Sequence, residues 1–313
     1  MVKPLRRQML MAAAVAWAAP TSVRASTAAG AEPPASTSTN EDSISPGRRL
    51  RFPRDFGAHP GARTEWWYIT GWLAPGGAAG LPAPRLDPRG AENGAPVPRA
   101  MLGFQITFFR SRTDVDRGHP SRFAARQLLF AHAAVTDLRD PARPRLRHDE
   151  RIARAGFGVA EAATEDTRLR LGGWTLERHA GVGTDAGAAH SRYAIRADSS
   201  AGGFGLSLDL ASTQPVLLQG DQGHSRKGPL IEQASHYYSQ PQLLTAGSVR
   251  LDGQSVPVAG VAWMDHEWSE SLLAPDAVGW DWIGMNLFDG RALTAFQLRR
   301  SDGSALWAGG SLR

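Results

Sequence analysis

Cysteine is absent from the 313 residues. Its absence excludes disulfides, thiolate zinc sites, a catalytic thiol and lipid attachment at cysteine. Lysine is nearly absent: beyond residue 25 only Lys227 occurs, and the basic side chains are otherwise arginine. Long apolar runs are missing from the body of the chain, so no segment there reads as a membrane-spanning helix. A surplus of one charge is missing too. The net charge is +5, but Lys3, Arg6, Arg7 and Arg24, with no acid among them, supply most of it. Charge therefore implies neither a nucleic-acid partner nor a membrane surface.

What is present is rich in turns and aromatic rings. With 34 Gly, 21 Pro, 11 Phe and 10 Trp, the composition disfavours a helical bundle. The charged start, the apolar run Met9 to Ala19 and the small exit residues around Ala25 predict a signal peptide over 1–25. Arg6-Arg7 resembles a twin-arginine signal, and the expected location is the bacterial periplasm or beyond. Residues 26–48, rich in Ser, Thr, Ala and Pro, are expected to form a flexible linker, and 74–99 a long hairpin loop.

The body alternates with period two. In Glu65–Trp72, a strand would place Trp66, Tyr68, Thr70 and Trp72 on one face and Glu65, Trp67 and Ile69 on the other. Phe104, Ile106 and Phe108 alternate with Gln105 and Thr107, and Phe130, His132, Ala134 and Thr136 share a face. Further strands are expected at 174–178, 193–197, 206–210, 249–251, 258–264, 280–288 and 293–299. Many short strands joined by turns predict an all-β barrel or sandwich, with no long helix.

Four segments concentrate unusual chemistry: Glu65-Trp66-Trp67-Tyr68; Gln219–Lys227, with Asp221, His224 and Ser225; His236-Tyr237-Tyr238; and Ala262–Glu270, followed by Trp280-Asp281-Trp282. On a strand over 261–268, Trp263, Asp265 and Glu267 share one face, and Met264, His266 and Trp268 the other. Alternate carboxylates lie about 7 Å apart. In an apolar setting each raises the other's pKa, and a carboxyl kept neutral can donate a proton. Solvent exposure or pairing with arginine would instead leave both acids structural. The doublets Trp66-Trp67 and Tyr237-Tyr238 each put one ring on either face, which suits a pocket for an apolar, polyene-like ligand.

Other chemistries lack their signatures. His266-Glu267 begins an H-E-x-x-H pattern, but Glu270 stands where the second histidine would be. A His/Asp/Glu metal site gathered from separate strands stays open on the residues alone, and no metal or cofactor is assigned. There is no G-x-S-x-G elbow and no phosphate-binding loop. The loop around Lys227 is expected to cover a barrel mouth, with Lys227 pairing an acid.

In order along the chain, FPRDFGAHPGARTEWWYITGWL, FQITFFR, FAHAAVTDL, QGDQGHSRKGP, ASHYYS, AWMDHEWS and GWDWIGMNLFDG resemble the AttH/hydroxyneurosporene synthase family. That family includes the carotenoid 1,2-hydratases (CrtC) and proteins called predicted secreted hydrolases. The resemblance implies two tandem lipocalin-like β-barrels, the first over 49–215. The second, over 216–313, would be incomplete, since members continue past the position of Arg313. It also implies a hydrophobic, isoprenoid-like ligand and, in the hydratase branch, addition of water to a C=C bond without a redox cofactor. Asp265 or Glu267 would then be the acid, His266 would orient it or the water, Trp268 would face the cation, and Asp281 would be the reserve acid. Glu65, Trp66, Trp67, Lys227, Tyr237, Tyr238 and Trp280 would bind the ligand. His236 departs from the A-S-Y-Y-Y-S run, where a tyrosine is expected. The competing expectation is a periplasmic lipid carrier without chemistry, serving an ABC-type transport system.

Overall fold

The computed structural model describes residues 42–76, 102–116, 118–140, 142–180 and 191–313. The expected signal peptide, most of the expected linker and most of the 74–99 stretch lie outside the described residues. Among these residues the fold is all-β, with a single 3-10 turn at Arg54–Phe56.

The strands are β1 (Thr64–Pro75), β2 (Leu102–Arg112), β3 (Gln127–Asp137), β4 (Arg145–Arg154), β5 (Ala160–Ala162), β6 (Arg168–Leu171), β7 (Trp174–Ala180) and β8 (Ser191–Ser199). They continue as β9 (Phe204–Ala211), β10 (Leu217–Leu218), β11 (His224–Arg226), β12 (Ala234–Leu251), β13 (Gln254–Ser269), β14 (Gly279–Asn286), β15 (Ala292–Arg299) and β16 (Ala305–Leu312). Eleven follow one path, β4-β3-β2-β1-β13-β12-β9-β8-β7-β6-β5, with β10 and β11 added beside β12. The path curls into a mostly closed barrel. Near its ends β4 meets the opposite wall, where Ser199 Oγ donates to Asp149 Oδ2 at 2.6 Å and Arg147 pairs with Asp252. Closure removes most of the exposed strand edge.

Period-two alternation places one face of each strand inside. Trp67, Ile69, Leu73, Phe104, Ile106, Phe108, Ile195, Leu208 and Met264 fill the barrel as one apolar cluster. Each such side chain contributes about 1.5–3 kcal/mol by leaving water. The barrel interior is therefore predominantly apolar.

In place of two tandem barrels, the described residues form one barrel and a separate three-stranded sheet, β14-β15-β16. No break in the large sheet falls at residue 215, because β12 and β13 come after it and close the barrel between β9 and β1. The small sheet is tied to the barrel at a β-bulge in β12 between Gln240 and Leu243. The bulge re-aims Gln242, with φ at 54°, outward. Its backbone N–H donates to Asn286 Oδ1 at 2.8 Å and its amide to the Leu287 carbonyl at 2.9 Å.

Pairing of β1 with β13 leaves no room for a side chain at Gly260, where a Cβ would lie 1.9 Å from the Trp72 carbonyl oxygen. The obstacle is backbone, which cannot swing aside. Gly260→Ala is expected to lower stability by about 2–4 kcal/mol, read as an earlier urea midpoint. An unchanged midpoint would show that the two strands separate more easily than this packing implies.

Candidate functional site

Three adjacent strands carry the chemistry. Antiparallel pairing sets Glu65 opposite Trp268, Trp67 opposite His266 and Tyr68 opposite Asp265 on β13. On the other side of β13, His236 faces Trp268, Tyr238 faces His266 and Ser239 faces Asp265. Alternation then divides the expected constellation in two. Glu65, Trp67, His236, Tyr238, His266 and Trp268 lie on the inner face. Trp66, Tyr68, Tyr237, Asp265 and Glu267 lie on the outer face.

The inner group is centred on the Glu65 carboxylate, which is fully buried. Glu65 Oε1 accepts from His59 Nδ1 at 2.7 Å and His266 Nε2 at 2.9 Å, and Oε2 accepts from Arg110 Nε at 2.6 Å. The His59 backbone N–H donates to Oε2 at 2.9 Å. Burial raises the carboxyl's pKa, but His59, His266 and Arg110 outweigh it and hold it well below the usual range. His59 lies between two carboxylates, its Nε2 reaching Asp55 Oδ1 at 3.0 Å. Burial pushes the Asp55 carboxyl up, yet the His59 hydrogen bond, the Arg51 N–H and Arg48 bring it down to about 2. Both acids are thus ionised acceptors, so both ring nitrogens of His59 carry protons. Its pKa is raised because Glu65 and Asp55 overcome burial. His266 differs: burial lowers it to about 4 despite Glu65. A neutral His266 donates from Nε2 to Glu65, which leaves Nδ1 to accept from the Tyr238 hydroxyl at 2.9 Å. Trp268 stacks on His59 with centroids 3.6 Å apart, and Trp67 on His266 at 4.4 Å.

The outer group is organised around Asp265. Its Oδ1 accepts from Ser239 Oγ at 2.5 Å and Trp263 Nε1 at 2.8 Å. Ser239 in turn accepts from Gln219 Nε2 at 2.8 Å, and the same amide reaches Thr294 of the small sheet at 3.0 Å. Burial raises the Asp265 carboxyl to about 7; bonds from Ser239, Trp263 and Tyr237 oppose this, and the Glu267 charge adds to it. Ser239 and Trp263 both donate to Oδ1, and the Tyr237 hydroxyl is a third hydrogen-bonding neighbour of the carboxyl. Glu267 is also raised by burial, while Lys227, 3.8 Å away, draws it down. Lys227 Nζ donates to Ser269 Oγ at 2.7 Å and lies 5.9 Å from the Trp66 ring centroid. Half-buried Trp66, Tyr68 and Trp282 line this side, and Trp282 Nε1 donates to the Tyr237 hydroxyl at 3.1 Å.

Two expected site residues stand apart. Trp280 is exposed, and Asp281 is exposed and ion-paired to Arg299 at 2.9 Å. His266 and Trp268 lie behind the strand from Asp265, so Ser239, Trp263 and Tyr237 hold the positions beside the acid. Two shallow surface recesses, of about 360 and 280 Å³, are lined by other residues, Glu161 and Arg168 in one and Asp198 and Arg250 in the other. Asp55, His59, Arg110, Ser239 and Thr294 were not singled out from the sequence. The available signal was a charged Arg110 ending the apolar run of β2.

His59, Glu65 and His266 place three potential metal-ligand atoms within 4.8 Å of one another. Their donor chemistry fits a dication poorly. The Glu65 oxygens are already committed to N–H donors, and Arg110 and Arg48 would add to the ion's charge.

A β-barrel with a small companion sheet, a buried Glu-His-Arg cluster inside and a buried carboxyl raised to about 7 outside defines the class. The chain belongs to the AttH-like family, whose profile matches residues 97–313. It is similar to a protein from Nitrosomonas europaea whose crystal structure was described as a candidate AttH, at 43% identity and a TM-score of 0.67 over 87% of this chain and 71% of that one. Kievitone hydratase from Nectria haematococca shares the fold at 10% identity, with a TM-score of 0.51 over 85% of this chain and 65% of that one. No functionally curated protein matches the sequence.

Glu65→Gln removes the charge that three cationic or N–H groups surround. The variant is expected to lose about 3–5 kcal/mol, because Arg110 remains buried without its counter-ion and His59 keeps only Asp55. Urea unfolding measures it, and a loss under 1 kcal/mol would mean the cluster is not what holds this end of the barrel.

Proposed function

We propose that the chain binds a hydrophobic, isoprenoid-like ligand against the outer aromatic face and adds water to one of its C=C bonds, as carotenoid 1,2-hydratases (CrtC) do. The observation that carries this reading is Asp265, a buried carboxyl whose pKa of about 7 leaves much of it protonated near neutrality. The Asp265 carboxyl proton forms the new C–H bond using the alkene's π electrons. The tertiary cation left behind faces Trp66, Tyr68 and Trp282. Water closes the C–O bond and gives its proton to the Asp265 carboxylate, which restores the acid. The Glu267–Lys227 pair orients that water or the ligand's polar end. No redox cofactor enters this addition. Export to the periplasm through the signal peptide over 1–25 accompanies the reading, with a lipid-like substrate met outside the cytoplasm.

The carrier reading makes the opposite forecast about the ligand. Incubation with an acyclic carotenoid in ¹⁸O-labelled water, followed by extraction and mass spectrometry, separates the two. One labelled water added per C=C supports hydration; ligand bound and recovered unchanged supports a carrier for a transport system. Asp265→Asn is expected to lower turnover at least 100-fold while ligand-induced tryptophan quenching persists. Full turnover in that variant would sink the assignment.

The same acid fixes two pH dependences. Turnover needs the protonated carboxyl, so kcat/KM should fall as pH rises through about 7. Stability follows the linked sign: the folded pKa lies above the unfolded value of 3.8, so ionisation disfavours the fold increasingly between those limits. Asp265→Asn should therefore be more stable than wild type by about 2–4 kcal/mol at pH 8, with the difference vanishing near pH 4. Parallel stability curves would show an ordinary carboxyl.

A further inference from the structure

We propose that a small anion, a halide or a carboxylate, is bound on the inner side of the barrel among Arg48, His236 and Trp268. This site lies on the opposite face of β13 from Asp265 and is independent of the hydration reading.

The first argument is unmet hydrogen-bonding capacity. Arg48 Nη1, Trp268 Nε1, both ring nitrogens of His236 and His224 Nε2 are buried without a hydrogen-bond partner. Trp268 and His236 are fully buried. These groups are neighbours: the His236 and Trp268 ring centroids are 5.5 Å apart, His224 and His236 6.1 Å, and the Arg48 guanidinium carbon lies 5.7 Å from the Trp268 ring. The Gly223 and Ser43 backbones approach His236, but neither ring nitrogen reaches full hydrogen-bond geometry with them. Arg48 and Trp268 can only donate, so what is missing is an acceptor.

Charge then selects the kind of acceptor. Arg48, His59 and Arg110 stand against Asp55 and Glu65, an excess of one positive charge over the acids, and the half-buried Arg48 has its Nη1 buried without a partner. Asp42 does not supply the deficit, since it is held by Arg54 and the Gly61 N–H. Asp221 is exposed and acts on His224, which also faces Arg226. A metal cation would be repelled by Arg48. A water could take the hydrogen bonds but would leave the charge unbalanced. A monoanion answers both needs.

The test uses the full chain, transferred to a buffer free of halide and carboxylate. Sodium bromide and sodium acetate are titrated separately at constant ionic strength, against wild type, Arg48→Met and His236→Phe. A saturable rise in Tm of about 3 °C is expected in wild type and its loss in Arg48→Met. Response to bromide alone identifies a halide site, and response to acetate alone a carboxylate site. Crystals grown in bromide are expected to give an anomalous peak within hydrogen-bond distance of Trp268 Nε1. That measurement needs no variant, so it decides even if Arg48→Met fails to fold. Parallel Tm shifts in all three proteins, no Tm response to either salt, or a water beside Trp268 both in crystals grown in bromide and in crystals grown in acetate, would overturn the proposal.

Discussion

The Glu65 carboxylate is the interaction on which this architecture turns. It is carried by β1, yet its partners come from the segment before β1, from β2 and from β13. A carboxylate in a packed interior costs several kcal/mol of lost hydration unless its lone pairs are filled by oriented donors. Here they are filled by parts of the chain far apart in sequence, so the charge is tolerable only when those parts have docked. Arg110 extends the same requirement, since it also donates to the His59 and Ala62 carbonyls at 2.7 and 2.9 Å. The cluster therefore acts as a register device for β1, β2 and β13. The strand trio that also holds Asp265 is fixed by it.

Strand periodicity made much of this legible. The faces of Glu65–Trp72, of 104–108 and of 261–268 read correctly because a half-buried strand must alternate. The inward and outward members of Trp66-Trp67 and Tyr237-Tyr238 followed for the same reason. The exposed β4, whose residues 145–154 are mostly charged or small, carried no such signal and was not singled out. The terminal β16, rich in Ala and Gly, was not singled out either. Two barrels were expected from family resemblance, whereas pairing of β12 and β13 back onto β9 and β1 is a long-range choice that local patterning does not encode.

The site residues were only partly legible, and the reason is again physical. Asp265, His266, Glu267 and Trp268 are neighbours in sequence, which invited a single constellation. Their own alternation separates them by the thickness of a strand. What surrounds each one is decided by cross-strand partners: Ser239 for Asp265, Tyr238 for His266. Ser239 has no sequence signature as a support for an acid, and His59 gains its role from two carboxylates folded against it. Such partners become visible only once register is known.

The two faces of the paired strands β1 and β13 hold carboxyl chemistry of opposite kinds, Glu65 of β1 on the inner face and Asp265 of β13 on the outer. Glu65 and Asp265 are both buried, and burial alone pushes both towards the neutral acid. Glu65 is met by a protonated imidazole and a guanidinium, and ionises. Asp265 is met by a hydroxyl and an indole N–H, dipoles without net charge, and by the neighbouring Glu267. Dipoles offset part of the desolvation cost, but a full counter-charge is needed to reverse it. Moving a cation from the inner face to the outer would exchange the two states. A charged partner set beside Glu65 and an uncharged one beside Asp265 are thus what give the two faces of one strand pair carboxyls shifted in opposite directions.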